Sequence, residues 1–192
     1  MEATHASIHV VGIGDDGCQS LTSSAFNAIS KAQVLVGGQR QLEFFHDHPA
    51  QKIVFKSPMS KALNEVRELS FENTVCILAS GDPLFYGIGS LLTKKLPLEQ
   101  LNFIPAPSSV QLAFAKLAKP WNNAKTHSLH GRPIQGLVSR IRHDSLVAIF
   151  TDSDNCPERV AQYLLEQGDI NWNIWVLLVS CVNLLKLAFL DL

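Results

Sequence analysis

Short apolar runs alternate with helical patterns along almost the whole chain, and that rhythm restricts it to an α/β fold with mainly parallel sheets. Ile8-His9-Val10-Val11, Val34-Leu35-Val36, Ile53-Val54-Phe55, Val75 to Ala79 and Phe103-Ile104 read as strands. Thr126 to Leu129, Leu146 to Phe150 and Ile174 to Val179 read the same way. Thr22 caps a helix with Leu21, Ala25, Ala28, Ile29 and Ala32 on one face. Met59, Ala62, Leu63, Val66 and Leu69 recur at helical spacing. Ile88 to Leu92 reads as a helix, and Ser108 or Ser109 caps another bearing Val110, Leu112, Ala113 and Leu117. A further helix runs to about Ile141. Pro157 opens the last one, with Val160, Tyr163, Leu164 and Leu165 as apolar positions and Gly168 at its end. Pro105-Ala106-Pro107 interrupts the pattern and marks a boundary between two α/β subdomains, residues 1–106 and 107–192.

The bulk properties narrow the partners. With 192 residues, 46% hydrophobic and 17% charged, the chain suits a substantial buried core. A net charge of −1 and no long Lys/Arg run argue against nucleic acid, which needs a concentrated basic face. Cys18, Cys76, Cys156 and Cys181 are widely spaced without a CxxC pair, so neither a zinc site nor a disulfide framework is expected. The polar stretch Met1 to Ser7 lacks a signal-peptide core, which makes a cytoplasmic setting the expectation. Ile174 to Leu192 is almost wholly apolar and approaches the length of a membrane span. A buried final strand followed by an apolar tail from about residue 177 is the favoured reading, because the preceding chain has a soluble α/β pattern.

Two glycine turns carry the chemistry. Ser80-Gly81-Asp82-Pro83 follows an apolar strand and precedes a helix, so it lies where open α/β sheets place their ligands. Gly81 lets backbone approach a ligand, Pro83 stiffens the turn, and Asp82 adds a carboxylate. The competing reading is a tight turn with a capping Asp. Gly12-Ile13-Gly14-Asp15-Asp16-Gly17 fits G-x-G-x-x-G, the dinucleotide pattern. Its context is poor: Val36-Gly37-Gly38-Gln39-Arg40 stands where the ribose-binding acid belongs, and two aspartates face the pyrophosphate position. His46 and His48 resemble a metal pair but lie beside Asp47 and Pro49 with no third ligand nearby, so they read as surface residues and no metal is expected.

Taken together these segments resemble the tetrapyrrole methylase family, and within it the precorrin-6Y methyltransferase branch of cobalamin biosynthesis. Val11 to Gly17 is similar to that branch's opening loop, and Val36 to Leu42 to its second loop. Ser80 to Gly87 resembles the superfamily's cofactor turn. Pro107-Ser108-Ser109-Val110-Gln111 with Trp121, and Ser128-Leu129-His130-Gly131-Arg132, resemble further signatures. The blocks run in the expected order from residue 8 to about residue 176.

The resemblance implies two α/β domains with a cofactor cleft between them that holds S-adenosylmethionine. Ser80, Gly81, Asp82, Phe85, Ser108 and Ser109 would line the cofactor site. Arg132 and Arg40, with Gly12 and Gly14, would meet a substrate rich in carboxylates, since arginine binds a carboxylate through two parallel hydrogen bonds. Asp15, Asp16 and His130 are the candidates for proton handling. The implied reaction is C-methylation of precorrin-6Y or its cobalt-containing counterpart at meso carbon 5. The implied assembly is a homodimer, with a separate decarboxylating methyltransferase partner or fused domain. After Trp175-Val176 the chain departs from the family pattern. The rival readings are therefore a noncatalytic cofactor-binding subunit of the same fold, or a methylase for another tetrapyrrole or for diphthine.

Overall fold

The computed structural model describes residues 8–56, 59–168, 173–178 and 186–191. The chain forms two compact units, Met1–Ser108 and Ser109–Leu192. In the first, β1 (Ile8–Ile13), β2 (Val34–Gly37), β3 (Gln51–Val54), β4 (Val75–Ser80) and β5 (Leu101–Ile104) make one parallel sheet in the order β3-β2-β4-β1-β5. The central strands are almost wholly apolar, with His9 of β1 and Ser80 of β4 as the polar positions, because a parallel sheet is covered on both faces. Alternate residues divide accordingly. Val10, Val36 and Ile77 pack with Leu63 and Val66 of α3 (Met59–Leu69) and Leu92 of α4 (Gly89–Lys95). Val11, Leu35, Cys76 and Leu78 pack with Ala25, Ala28 and Ile29 of α1 (Ser23–Ser30) and Leu42 of α2 (Gln39–Glu43). Burial pushes the Cys76 thiol up to about 12, so it acts as a small core residue.

This order creates a switch point. The connection after β1 passes through α1 to β2, on one side. The connection after the neighbouring β4 passes through α4 to β5, on the other. The two helices cover opposite faces, which leaves a crevice outside the carboxyl ends of β1 and β4. Ile13 and Ser80 are paired in the ladder, so both following turns emerge level with each other.

In the second unit, β6 (Lys125–Ser128) and β7 (Leu146–Phe150) are parallel. Alpha-helices α5 (Ser109–Lys116), α6 (Leu137–Ile141) and α7 (Pro157–Glu166) accompany them. The sheet order is β6-β7-β9-β8, with β8 spanning Asn173–Leu178 and β9 spanning Lys186–Asp191. β9 runs antiparallel to both β7 and β8. The apolar residues Leu187 to Leu190 of the expected tail thus lie in a strand between β7 and β8. Val179 lies outside the described residues.

Smaller corrections follow the same logic. Leu165 is 78% exposed, because Val160 and Leu164 face the core and the next residue is rotated onto the open side of α7. Phe114, not singled out from the sequence, is fully buried and stacks on Trp121 at 6.2 Å. Thr22 caps α1 as expected, its hydroxyl accepting from Ala25 N–H at 3.2 Å. Among the described residues, no helix is long and apolar enough to cross a membrane.

Candidate functional site

At the switch point of the first unit, three turns converge through backbone contacts. Gly81 N–H donates to Ile13 C=O at 2.9 Å, and Ala106 N–H donates to Gly81 C=O at 3.2 Å. Gly12 lies buried beneath this crossing. A Cβ on Gly12 would stand 1.9 Å from the Gly81 oxygen and 2.5 Å from the Ala106 nitrogen. Only glycine permits that approach. Gly81 itself has φ +60, and a Cβ there would meet the Pro107 oxygen and Ser108 Cα at 3.4 Å. Gly81, Pro107 and Ser108 therefore form one small surface, with Ser108 buried and Pro107 exposed.

Asp82 closes its own turn. Its Oδ1 accepts from Leu84 N–H at 2.9 Å, and Phe85 N–H donates to Asp82 C=O at 3.1 Å. This is an Asx turn, matching the structural alternative raised for this residue. Pro83 C=O accepts from Gly89 N–H at 2.8 Å and so ties the turn to the start of α4. Between these points Tyr86 sits at φ 54, uncommon for an aromatic residue, with its ring edge-on to Phe85 at 5.0 Å. Both rings leave the turn partly open to solvent.

Beside this turn, α2 contributes a polar side. Gln41 Nε2 donates to Ser80 Oγ at 2.7 Å. Arg40 lies 3.7 Å from Asp15 Oδ1 and 5.8 Å above the Phe44 ring. Ile13, Gly14, Asp15, Arg40, Gln41, Phe44 and Ser80 line an open depression here. The sequence reading missed α2 and with it the contact of Gln41; the five-residue helix is too short for a periodic signal.

The glycine loop is braced by its own hydrogen bonds. Gly14 N–H donates to Ser20 Oγ at 3.1 Å, and Gly14 C=O accepts from Gly17 N–H at 3.2 Å. Asp15 borders the depression, while Asp16 is exposed at the start of a short 3-10 turn, Gly17–Ser20. That turn separates the glycines from α1, whose N-terminus is occupied by Thr22. The dinucleotide arrangement, with a helix N-terminus aimed directly out of the glycine loop, is thus absent from these residues.

The second unit holds another strand-end turn. Leu129 follows β6 and is fully buried, while His130, Gly131 and Arg132 are exposed. Arg132 N–H donates to Leu129 C=O at 3.0 Å, and Gly131 has φ +63. Asp152, just past β7, accepts from Gly131 N–H at 2.7 Å. Backbone N–H groups of Asn155 and Gly131, in that order of effect, hold the Asp152 carboxyl below its ordinary value, with lesser help from Asp154 and His130. Sequence reasoning missed Asp152 and Asn155. The signal was present: Asp152-Ser153-Asp154-Asn155 is a run of turn formers between a strand and a Pro-led helix.

His46 is exposed and pairs with Asp47, and His48 Nδ1 accepts from Ala50 N–H. No group of three or more metal-ligating side chains occurs among the described residues.

Comparison with known proteins places this arrangement. Residues 7–177 match the family described as Tetrapyrrole (Corrin/Porphyrin) Methylases. A decarboxylating precorrin-6Y C(5,15)-methyltransferase from Sinorhizobium sp is 31% identical over 165 residues. That match covers 83% of this chain but only 38% of the relative's length. A cobalt-precorrin-7 C(5)-methyltransferase from Salmonella typhimurium is 32% identical over 159 residues, 83% of this chain and 78% of that protein. The crystal structure of the precorrin-6Y methylase from Archaeoglobus fulgidus has the same fold, with a TM-score of 0.72 at 20% identity over 96% of this chain and 97% of that one.

Proposed function

Because the chain belongs to the tetrapyrrole (corrin/porphyrin) methylase family, we propose that it methylates carbon 5 of precorrin-6Y or of its cobalt-containing counterpart, with S-adenosylmethionine as methyl donor. The observation that carries this reading is the convergence of Ser80, Gly81, Asp82, Phe85, Pro107 and Ser108 at the switch point of a parallel sheet. Backbone groups and acceptor side chains of this kind suit an amine, a carboxylate and ribose hydroxyls. Bound there, the donor supplies an electrophilic methyl group on a positively charged sulfur.

The protein's residues then have modest tasks. Ser80, Gly81, Asp82, Phe85, Ser108 and Ser109 hold the donor. Arg132, and Arg40 through the depression shared with Asp15, hold substrate carboxylates. Gly12 and Gly14 form the loop on the substrate side. The new carbon–carbon bond forms with the ring carbon's electron pair, the carbon–sulfur bond breaks, and a proton leaves the ring system; Asp15, Asp16 and His130 are the groups available to accept it. Much of the acceleration of such a displacement can come from holding donor and acceptor in line.

A homodimer completes the reading, as does a separate or fused decarboxylating partner; the partner is supported by the decarboxylating Sinorhizobium relative, which is more than twice as long as its match here. A second reading, a noncatalytic binding subunit, is favoured by one observation: the family match stops at residue 177, and β9 lies beyond it.

Calorimetric titration of the full chain with S-adenosylmethionine, beside Asp82→Ala, tests the core of this proposal. Binding that the variant weakens supports the donor site; no binding by folded protein overturns it. Incubation with donor and cobalt-precorrin-7 then separates the two readings, because the binding subunit gives no methylated product.

A further inference from the structure

The His130–Arg132 turn has no apolar side chain of its own, yet it and the preceding Leu129 are held by three hydrogen bonds from the opposite loop. Asp152 uses both carboxylate oxygens: Oδ2 accepts from Gly131 N–H at 2.7 Å, and Oδ1 accepts from Asn155 N–H at 2.7 Å and Asp154 N–H at 3.0 Å. Asn155 is buried, and its Nδ2 donates to Leu129 C=O at 3.0 Å and Arg132 C=O at 2.9 Å. An amide buried in this way with both N–H groups on one turn fixes the carbonyls on either side of Gly131. Leu129 N–H is tied in turn to Phe150 C=O at 2.8 Å, so the clamp connects the ends of β6 and β7.

We infer that Asp152 and Asn155 are positioning residues that hold the His130–Arg132 turn ready for a carboxylate-bearing substrate without touching that substrate. The inference rests on the assignment of this turn to substrate binding made above. It goes further by naming what gives an exposed arginine turn a single orientation. An arginine on a free loop must lose conformational freedom to bind, and preorganising its backbone removes part of that loss.

Asp152→Asn isolates the effect. The amide keeps the side chain's shape and one acceptor for Asn155 and Asp154, but it presents an NH2 group to Gly131 N–H, where two donors repel. The readout is the Kd of the full chain for cobalt-precorrin-7, measured by its absorbance change, together with the Kd for S-adenosylmethionine. We expect Asp152→Asn to weaken tetrapyrrole binding about five- to tenfold, with donor binding changed less than about twofold. Amide exchange at Gly131 should accelerate. Combined with Arg132→Ala, the effect should be smaller than the product of the two separate losses, because one residue acts through the other.

Val160→Ala, a truncation in the core of the same unit that touches none of the clamp's hydrogen bonds, controls for general loss of stability and should leave tetrapyrrole binding unchanged. Normal tetrapyrrole binding by Asp152→Asn overturns the inference, whatever happens to exchange at Gly131. An equal weakening by Val160→Ala also overturns it. Weakening by Asp152→Asn beside normal binding by Arg132→Ala supports the clamp and overturns the role of Arg132, leaving His130 as the group presented. A parent chain that does not bind the tetrapyrrole overturns the proposed substrate, and the inference with it.

Discussion

The two strand-end turns of this protein are held by different physics. In the first unit, Gly12, Gly81 and Ala106 meet backbone to backbone, and the geometry depends on an absent side chain. In the second, the turn at Gly131 is held by the side chains of Asp152 and Asn155. A backbone crossing is rigid and indifferent to pH, but it tolerates no substitution. A side-chain clamp can be altered gradually and depends on the charge of its carboxylate. The first suits a site for an invariant ligand, the second a site tuned to a particular substrate.

Gly12→Ala attacks the crossing directly and should have the largest effect. Its Cβ has no room against the Gly81 oxygen and Ala106 nitrogen, so both turns must move apart. We expect a loss of about 2–3 kcal/mol, the upper part of the range for overpacking, and at least tenfold weaker donor binding. Urea unfolding with calorimetry checks this, and an unchanged midpoint would show that the crossing yields easily.

Asn155→Ala should come next. It removes the donors for two carbonyls in a mostly buried place, which costs about 1–3 kcal/mol. Donor affinity should hold while stability falls; a parallel loss of donor affinity would erase the contrast between the two turns.

Gln41→Ala should do less. The hydrogen bond to Ser80 is solvent-exposed, so about 0.5 kcal/mol of stability is at stake, the low end for such bonds. Donor binding should weaken by less than about tenfold, and an effect as large as that of Gly12→Ala would mean that α2, and not the glycine crossing, governs the site.

Acid sharpens the comparison. Asp152 has a folded-state value below its ordinary 3.8, so its stabilisation is fully present above that value and is lost as pH falls through the lower, folded one. The parent chain should therefore lose more stability than Asp152→Asn on acidification below about 4, in unfolding curves recorded against pH. Identical curves would mean that the carboxylate charge does not hold the turn.

Much of this was legible beforehand because its cause is local. Apolar runs with the right punctuation gave β1, β2, β4 and β7, and Thr22 announced the start of α1. The strand-end position of Ser80-Gly81-Asp82-Pro83 could be read from the strand before it and the helix after it. Arg132 was visible as a cation after Gly131, whereas Asp152 and Asn155, about twenty residues further on, carried no sign of which turn they would serve.

The sequence by itself determined the α/β class, the order of elements and the glycine turns, because periodicity and backbone permissiveness act over a few neighbouring residues. The tertiary structure decided what depends on partners far along the chain. It made Gly12 a crossing point, since the obstructing atoms belong to Gly81 and Ala106. It turned the apolar tail into β9, since an apolar run cannot reveal which strands will accept it. It joined Asp152 and Asn155 to the Gly131 turn, since a carboxylate and an amide find their donors and acceptors only after β6 and β7 lie side by side.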